Sequence, residues 1–245
     1  MKKLRFLFVI VLFLLVIYFL WAWFQVGSRP DKIGLHRCNS LEKLEEKGGG
    51  YDLIEVDVCI RENGQMDVTH DEDTTFGLDI VPYFAYLHQH PEKRMWMDIK
   101  NLDEENKEPF FVCLDSLCRT YEIARERLIV ETPRWDLMRL LTIHDFCTSY
   151  YVDAPKPSEL TRRQMDSVIT RLDRVASSGC VRALSFPGWW YMALRGQYKE
   201  RDISFLIWKH RSIQWEVFLC PEGKMMLADD RVKAILVKDK GRYHR

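Results

Sequence analysis

Residues 53–58 read Leu53-Ile54-Glu55-Val56-Asp57-Val58, two carboxylates set inside an otherwise apolar run. A run this short is a strand signal. In an extended chain alternate side chains share a face, so Glu55 and Asp57 leave the backbone in the same direction. Two carboxylates on one buried face repel unless a cation lies between them. The string therefore predicts both a buried strand and a seat for positive charge.

Similar short apolar segments recur on both sides of it: Ile33–His36, Met95–Lys100, Leu128–Glu131, Ser149–Asp153, Ala183–Phe186, Ser204–Trp208 and Ala234–Val237. A further run, Met66–His70, lies close behind residues 53–58 and extends them through a hairpin at Asn63-Gly64. Stretches with helical spacing separate the segments: Leu41 and Leu44 with a stop at Gly48, Ile80–Leu87, Phe110–Tyr121, Leu137–Leu141 and Leu160–Val175. The last is the clearest, with Met165, Val168, Ile169, Leu172 and Val175 recurring every three or four residues between a cap at Ser158 and a stop at Gly179. Strands alternating with helices predict an α/β architecture of parallel strands and crossover helices. The count matches a (β/α)8 TIM barrel over residues 33–245, near the short end for that fold. An open doubly wound sheet is the alternative.

The N-terminus is different. Lys2, Lys3 and Arg5 precede an uncharged run of 19 residues, Phe6–Phe24. At ~1.5 Å per residue it covers roughly 28 Å, close to the hydrocarbon thickness of a bilayer. A cleaved signal peptide is the competing reading, but its apolar core is shorter and ends at a small-x-small site. Here the run ends in Trp21, Trp23, Phe24 and Gln25, aromatics suited to a membrane interface. The expectation is one N-terminal transmembrane helix within residues 1–25, a linker over 26–32, a cytoplasmic N-terminus and an extracytoplasmic barrel.

Lys and Arg total 36, as do Asp and Glu, and 47% of residues are apolar. That composition is globular, and no basic excess points to nucleic acid. Seven cysteines leave at least one unpaired within the chain. None has zinc-site spacing, and most sit in or beside apolar segments, as small core residues do.

Polar residues gather where the strands end, the face on which barrels build active sites. His36-Arg37 closes the first strand, His70-Asp71 the hairpin and Asp98-Ile99-Lys100 the third strand. Glu55, Asp57 and Asp98 suit a hard divalent cation, with Lys100 as a fixed charge beside them. His36 and His70 suit an acid–base pair, because imidazole titrates near working pH. Arg37 and Lys100 suit the negative oxygens of a phosphoryl group. A lone strand-end histidine is usually a surface residue and an Asp-x-Lys pair usually a salt bridge; the ordered combination at successive strand ends carries the reading.

The series His36-Arg37, Glu55-x-Asp57, His70-Asp71 and Asp98-x-Lys100 resembles the glycerophosphodiester phosphodiesterases, within the phosphatidylinositol-phospholipase-C-like phosphodiesterases. The resemblance covers residues 33–101, with 205–208 and 232–236 similar to the last two strands. It implies a (β/α)8 barrel, His36 and His70 as acid–base catalysts, Glu55, Asp57 and Asp98 as ligands of Mg2+ or Ca2+, and Arg37 and Lys100 as phosphate-binding residues. Trp208 matches a substrate-side tryptophan of the family. In two respects the chain is more similar to the sphingomyelinase D branch. Cys38-Asn39-Ser40 runs straight into the first helix, and Asp98 stands where glycerophosphodiesterases have Glu. The compact opening predicts a mouth less covered than in enzymes for small glycerol-headed substrates.

Several further residues stay open at this level. Glu131 and Asp153 either line the mouth or cap helices, and Lys209 and Lys238 add positive charge near the last strands. The segment Phe186-Pro187-Gly188-Trp189-Trp190-Tyr191 either touches lipid or covers the barrel end. His88, His90, His144, His210 and His244 have no evident partners. The resulting expectation is a membrane-anchored, metal-dependent phosphodiesterase for a glycerophosphodiester or (lyso)phospholipid-type phosphodiester. A catalytically silent barrel binding a phospholipid or phosphorylated glycan, and a structural ectodomain, are the rivals.

Overall fold

The strands form where the apolar segments can be buried on two faces at once. β2 (Leu53–Ile60) is buried at every position, one face toward a barrel axis and the other toward surrounding helices. In the computed structural model, which describes residues 2–27, 30–198, 202–208 and 214–239, the same pattern recurs. It is seen in β1 (Ile33–Leu35), β4 (Arg94–Ile99), β5 (Leu128–Thr132), β6 (Cys147–Tyr151), β7 (Ala183–Pro187), β8 (Ser204–Trp208) and β9 (Val232–Val237). All pair in parallel, and β1 bonds both β9 and β2, so the sheet closes on itself. This is the (β/α)8 barrel, and closure excludes the open doubly wound sheet. β3 (Met66–Val68) pairs antiparallel with the upper end of β2, as the Asn63-Gly64 turn predicts.

Helices α2 (Leu41–Lys47), α3 (Val81–Gln89), α4 (Lys107–Thr120), α5 (Arg139–Ile143) and α6 (Arg162–Ser177) cover the barrel where helical spacing places them. The cap of α6 differs from expectation. Thr161, not Ser158, begins the helix, because Thr161 and Gln164 bond each other's backbone reciprocally while Ser158 sits in a separate 3-10 turn. Gly179 follows the helix end with a positive φ of 67°. Three short helices lack a periodic signature in the sequence: α7 (Tyr191–Leu194), α8 (Gln214–Leu219) and α9 (Pro221–Ala228). Lys209, His210 and His244 lie outside the described residues.

The apolar residues divide into two clusters. The larger fills the space between barrel and helices. The smaller contains Leu53, Trp96, Ile129, Ala183, Leu206, Ala234 and Leu236, and it plugs the barrel interior. Gly34 belongs to this plug, since a Cβ there would come within 2.8 Å of Leu53 Cδ2 and 2.9 Å of Leu236 Cδ2. The polar residues of the same inward faces are thereby confined to the C-terminal half of the barrel.

α1 (Lys2–Gly27) is one continuous helix ahead of the barrel. Its Lys2–Trp21 portion is long and apolar enough to cross a membrane, with mean hydropathy 2.7 and no buried residue. Length and composition of this kind are shared by membrane anchors and signal sequences. All seven cysteines are free thiols.

The hairpin depends on Gly64, whose φ is 77° and whose missing Cβ leaves 2.6 Å to the Pro109 carbonyl oxygen. Gly64→Ala is expected to destabilise the fold by at least about 1–2 kcal/mol from the left-handed conformation alone. Gly49→Ala, where a Cβ meets nothing within 4 Å, is expected to be near neutral. Chemical denaturation of both variants checks the difference.

Candidate active site

Above the plug lies an open cavity, and every site residue read from the sequence lines it: His36, Arg37, Glu55, Asp57, His70, Asp98, Lys100 and Trp208. Strand alternation explains most of this. Asp57 and Asp98 are direct neighbours in the β2–β4 register, and Asp98 neighbours Glu131 in β4–β5, so inward faces of adjacent strands bring these carboxylates together. Donor oxygens of Glu55, Asp57 and Asp98 fall within 4.8 Å of one another.

Positive charge is present at this cluster. Lys100 Nζ lies 2.5 Å from Asp57 Oδ1 and 2.5 Å from Asp98 Oδ2. Burial alone would lower its pKa, but Asp98 and Asp57 hold it well above the ordinary lysine value. Burial pushes the Asp57 carboxyl up, yet Lys100, Asn39 and Arg37 bring it below the usual range. The Asp98 carboxyl stays raised, because burial and Asp57 outweigh Lys100. Burial, then Asp57 and Asp98, push the Glu55 carboxyl far above its usual range, against the opposing Arg37 N–H and Lys100. Oxygen donors, a cluster of this span and a carboxyl lacking its counter-charge fit a hard divalent cation.

Residues outside the predicted set hold the cluster in shape. Asn39 donates from Nδ2 to Asp57 Oδ2 (2.7 Å) and accepts from Asp57 N–H at Oδ1 (3.0 Å). Arg37 adopts φ 53°, and its backbone N–H donates to Glu55 Oε2 at 2.5 Å while its Nε lies 3.8 Å from Asp57 Oδ2. The buried Lys43 ammonium donates to the carbonyls of His36 and Arg37, both at 2.8 Å, and Tyr83 Oη donates to the Cys38 carbonyl at 2.7 Å. Ser40 caps α2 directly after this turn, which is the compact opening the sequence predicts. Bonds to distant carbonyls leave no sequence pattern, so the roles of Lys43 and Tyr83 were not legible there. Asn39 was visible only as part of the opening.

The two imidazoles sit differently. His36 is nearly buried, with Nε2 3.8 Å from Glu55 Oε2 and Nδ1 without a partner. Burial lowers its pKa to about 3, opposed by Asp57 and reinforced by Arg37, Lys238 and Lys43. His70 is half-exposed on the loop after β3, and its Nδ1 lies 2.7 Å from Asp71 Oδ1.

Glu131 lines the cavity rather than capping a helix, and Asp153 is exposed and outside the lining. Burial and Asp98 push the Glu131 carboxyl well above the usual range, and its Oε2 has no partner. Tyr151 stacks on Trp208, with centroids 5.6 Å apart and planes at 10°. Trp189 meets Trp208 edge-on at 6.1 Å. Lys238 also lines the cavity. In the aromatic segment Trp190 and Tyr191 are buried. His88 bonds the Tyr121 carbonyl, His90 stacks on Tyr86 and His144 on Phe111, all away from this lining.

No family model matches this sequence, and no curated protein matches it either. Solved structures do match. A glycerophosphodiester phosphodiesterase from Parabacteroides distasonis superposes with TM-score 0.58 and 13% identity, covering 85% of this chain and 92% of that one. An Oleispira antarctica phosphodiesterase, solved with its product sn-glycerol-3-phosphate, gives TM-score 0.57 and 12% identity, covering 84% and 92%. The structural neighbours are thus phosphodiesterases of the glycerophosphodiester class, and this chain shares their TIM-barrel fold.

Lys100→Met is expected to leave two buried carboxylates uncompensated and to lower stability by about 3–5 kcal/mol. Added Mg2+ or Ca2+ is expected to restore part of the lost Tm, which differential scanning calorimetry reads directly.

Proposed function

We propose that this chain is a membrane-anchored, divalent-metal-dependent phosphodiesterase acting on a glycerophosphodiester or (lyso)phospholipid-type phosphodiester. One observation carries the reading: two imidazoles, three clustered carboxylates, Arg37 and Lys100 share a single cavity. The fold likeness to phosphodiesterases supports it.

Glu55, Asp57 and Asp98 would hold Mg2+ or Ca2+, which when bound polarises a phosphoryl oxygen. The remaining steps belong to the chain's own side chains. His36, kept neutral by burial, would accept a proton from the attacking hydroxyl. Asp71 at His70 Nδ1 orients that ring, which suits it to serve the leaving oxygen. In an in-line displacement the two groups serve opposite sides of phosphorus. Arg37 and Lys100 offset charge on the equatorial oxygens, and the Tyr151–Trp208 stack forms an aromatic wall for the substrate.

The proposed organisation is an anchor within residues 1–25, a linker over 26–32 and the barrel over 33–245. The basic Lys2, Lys3 and Arg5 keep the N-terminus cytoplasmic and place the barrel on the far side. In Asp98 and the compact opening the site is closer to the sphingomyelinase D pattern than to that of glycerophosphodiesterases.

Hydrolysis of bis(p-nitrophenyl) phosphate and of lysophosphatidylcholine is expected with Mg2+ or Ca2+ and lost with chelator. His36→Ala and His70→Ala are each expected to lower kcat by about 10²- to 10⁴-fold, and full activity in either variant overturns the acid–base assignment. Turnover absent across both substrates with metal bound leaves a binding barrel. Phosphorus NMR of the products separates attack by water from attack by a substrate hydroxyl.

A further inference from the structure

The direction in which α1 leaves the barrel orients the whole molecule. Lys32, just before β1, donates from Nζ to the carbonyls of Leu227 (3.0 Å) and Asp229 (2.9 Å), where α9 ends and β9 is about to begin. That contact marks the N-terminal end of the barrel, opposite the cavity. α8 follows β8, whose C-terminal end is the cavity end, and α9 runs from α8 to the closed end at Asp229. Tyr18 and Trp21 meet the junction of α8 and α9. Tyr18 Oη donates to the Leu219 carbonyl at 3.1 Å, and Lys224 Nζ donates to Tyr18 Oη at 3.0 Å. The same ammonium lies 4.3 Å from the Tyr18 ring centroid and 4.4 Å from that of Trp21.

α1 therefore climbs the barrel wall from the closed end toward the cavity end as it is followed back from Gly27 to Tyr18. The stretch from Ile17 back to Lys2 adds roughly 24 Å beyond that point. It is exposed throughout, so the apolar part of the helix continues past the α8–α9 junction toward the cavity end. Tyr and Trp settle at the lipid headgroup level, and here both are fastened to the wall at that junction.

One exposed apolar side chain outside α1 lies at the cavity end: Phe76, on the loop that carries His70. Met192, also exposed, is on α7, whose Tyr191 Oη bonds the Met225 carbonyl (3.1 Å) and Asp229 Oδ2 (3.2 Å) and which therefore runs down the wall toward the closed end. The other large exposed apolar residues outside α1, namely Val81, Val112 and Ile143, are single positions on α3, α4 and α5 of the opposite wall.

We infer that the cavity mouth faces the bilayer that α1 enters, and that the site draws amphiphilic phosphodiesters from its own leaflet rather than soluble ones from bulk water. The inference rests on the phosphodiesterase reading for its substrate and on geometry alone for its orientation, so two independent readouts test it. The full chain with Mg2+ is reconstituted into phosphatidylcholine vesicles that also carry lysophosphatidylcholine. Turnover there is expected to exceed that of the same lipid in separate protein-free vesicles by about 10²-fold, because shared membrane raises effective concentration. Phe76→Asp is expected to lower the same-vesicle rate by about tenfold through lost apolar insertion, with bis(p-nitrophenyl) phosphate turnover unchanged. Equal rates in the two vesicle arrangements overturn the inference about substrate supply. For orientation, a photoreactive side chain at Phe76 is expected to give lipid adducts, and one at Glu126, exposed just before β5 at the closed end, none. Adducts at Glu126 instead of Phe76 overturn the orientation. Loss of all turnover with the adduct pattern intact removes the phosphodiesterase reading and leaves the orientation standing.

Discussion

Carboxylates from adjacent strands of a parallel barrel converge on one axis, and the structure depends on how that charge is balanced. Glu55, Asp57 and Asp98 lie within reach of one ion, and the Lys100 ammonium is set against two of them. A buried pair of this kind is costly to break and brings little net stability of its own. Its value is geometric: Lys100 draws Asp57 and Asp98 together, while Glu55 faces them with no ammonium of its own. Three carboxyls thus share one lysine, and the cluster is held in place before any cation arrives.

The rest of the upper barrel serves that cluster. Asn39 grips Asp57 by both its side chain and its backbone, the Arg37 N–H fixes Glu55, and Lys43 and Tyr83 pull on the carbonyls of the intervening turn. Each of these residues comes from a helix or a turn packed outside the strands. Rigidity of the charged cluster is therefore borrowed from the core between barrel and helices. The two imidazoles divide along the same line, His36 nearly buried just past the end of β1 and His70 on an exposed loop steadied by Asp71.

Much of this was legible in the chain because it repeats at short range. Glu55-x-Asp57 and Asp98-x-Lys100 declare their shared faces through the two-residue period of a strand, and Asn63-Gly64 announces the hairpin that brings His70 back. Long-range polar contacts announce nothing: Tyr83 lies far along the chain from the Cys38 carbonyl it bonds. Glu131 shows the same limit. Its place at a strand end was visible, but whether it pointed inward depended on the register with β4, which only closure of the barrel sets. At α6 the cap expected at Ser158 lies three residues ahead of the true one, Thr161, whose reciprocal pair with Gln164 begins the helix. α7 to α9 are too short and too mixed in composition to show a period.

The plug of Leu53, Trp96, Ile129, Ala183, Leu206, Ala234 and Leu236 has a kinetic corollary. A chamber with a solid floor has one doorway, so whatever arrives and whatever departs must queue for the same passage. Exit of one molecule precedes entry of the next, and a slow-leaving fragment blocks the incoming one outright. Throughput is then governed by traffic at the rim as much as by events deeper down.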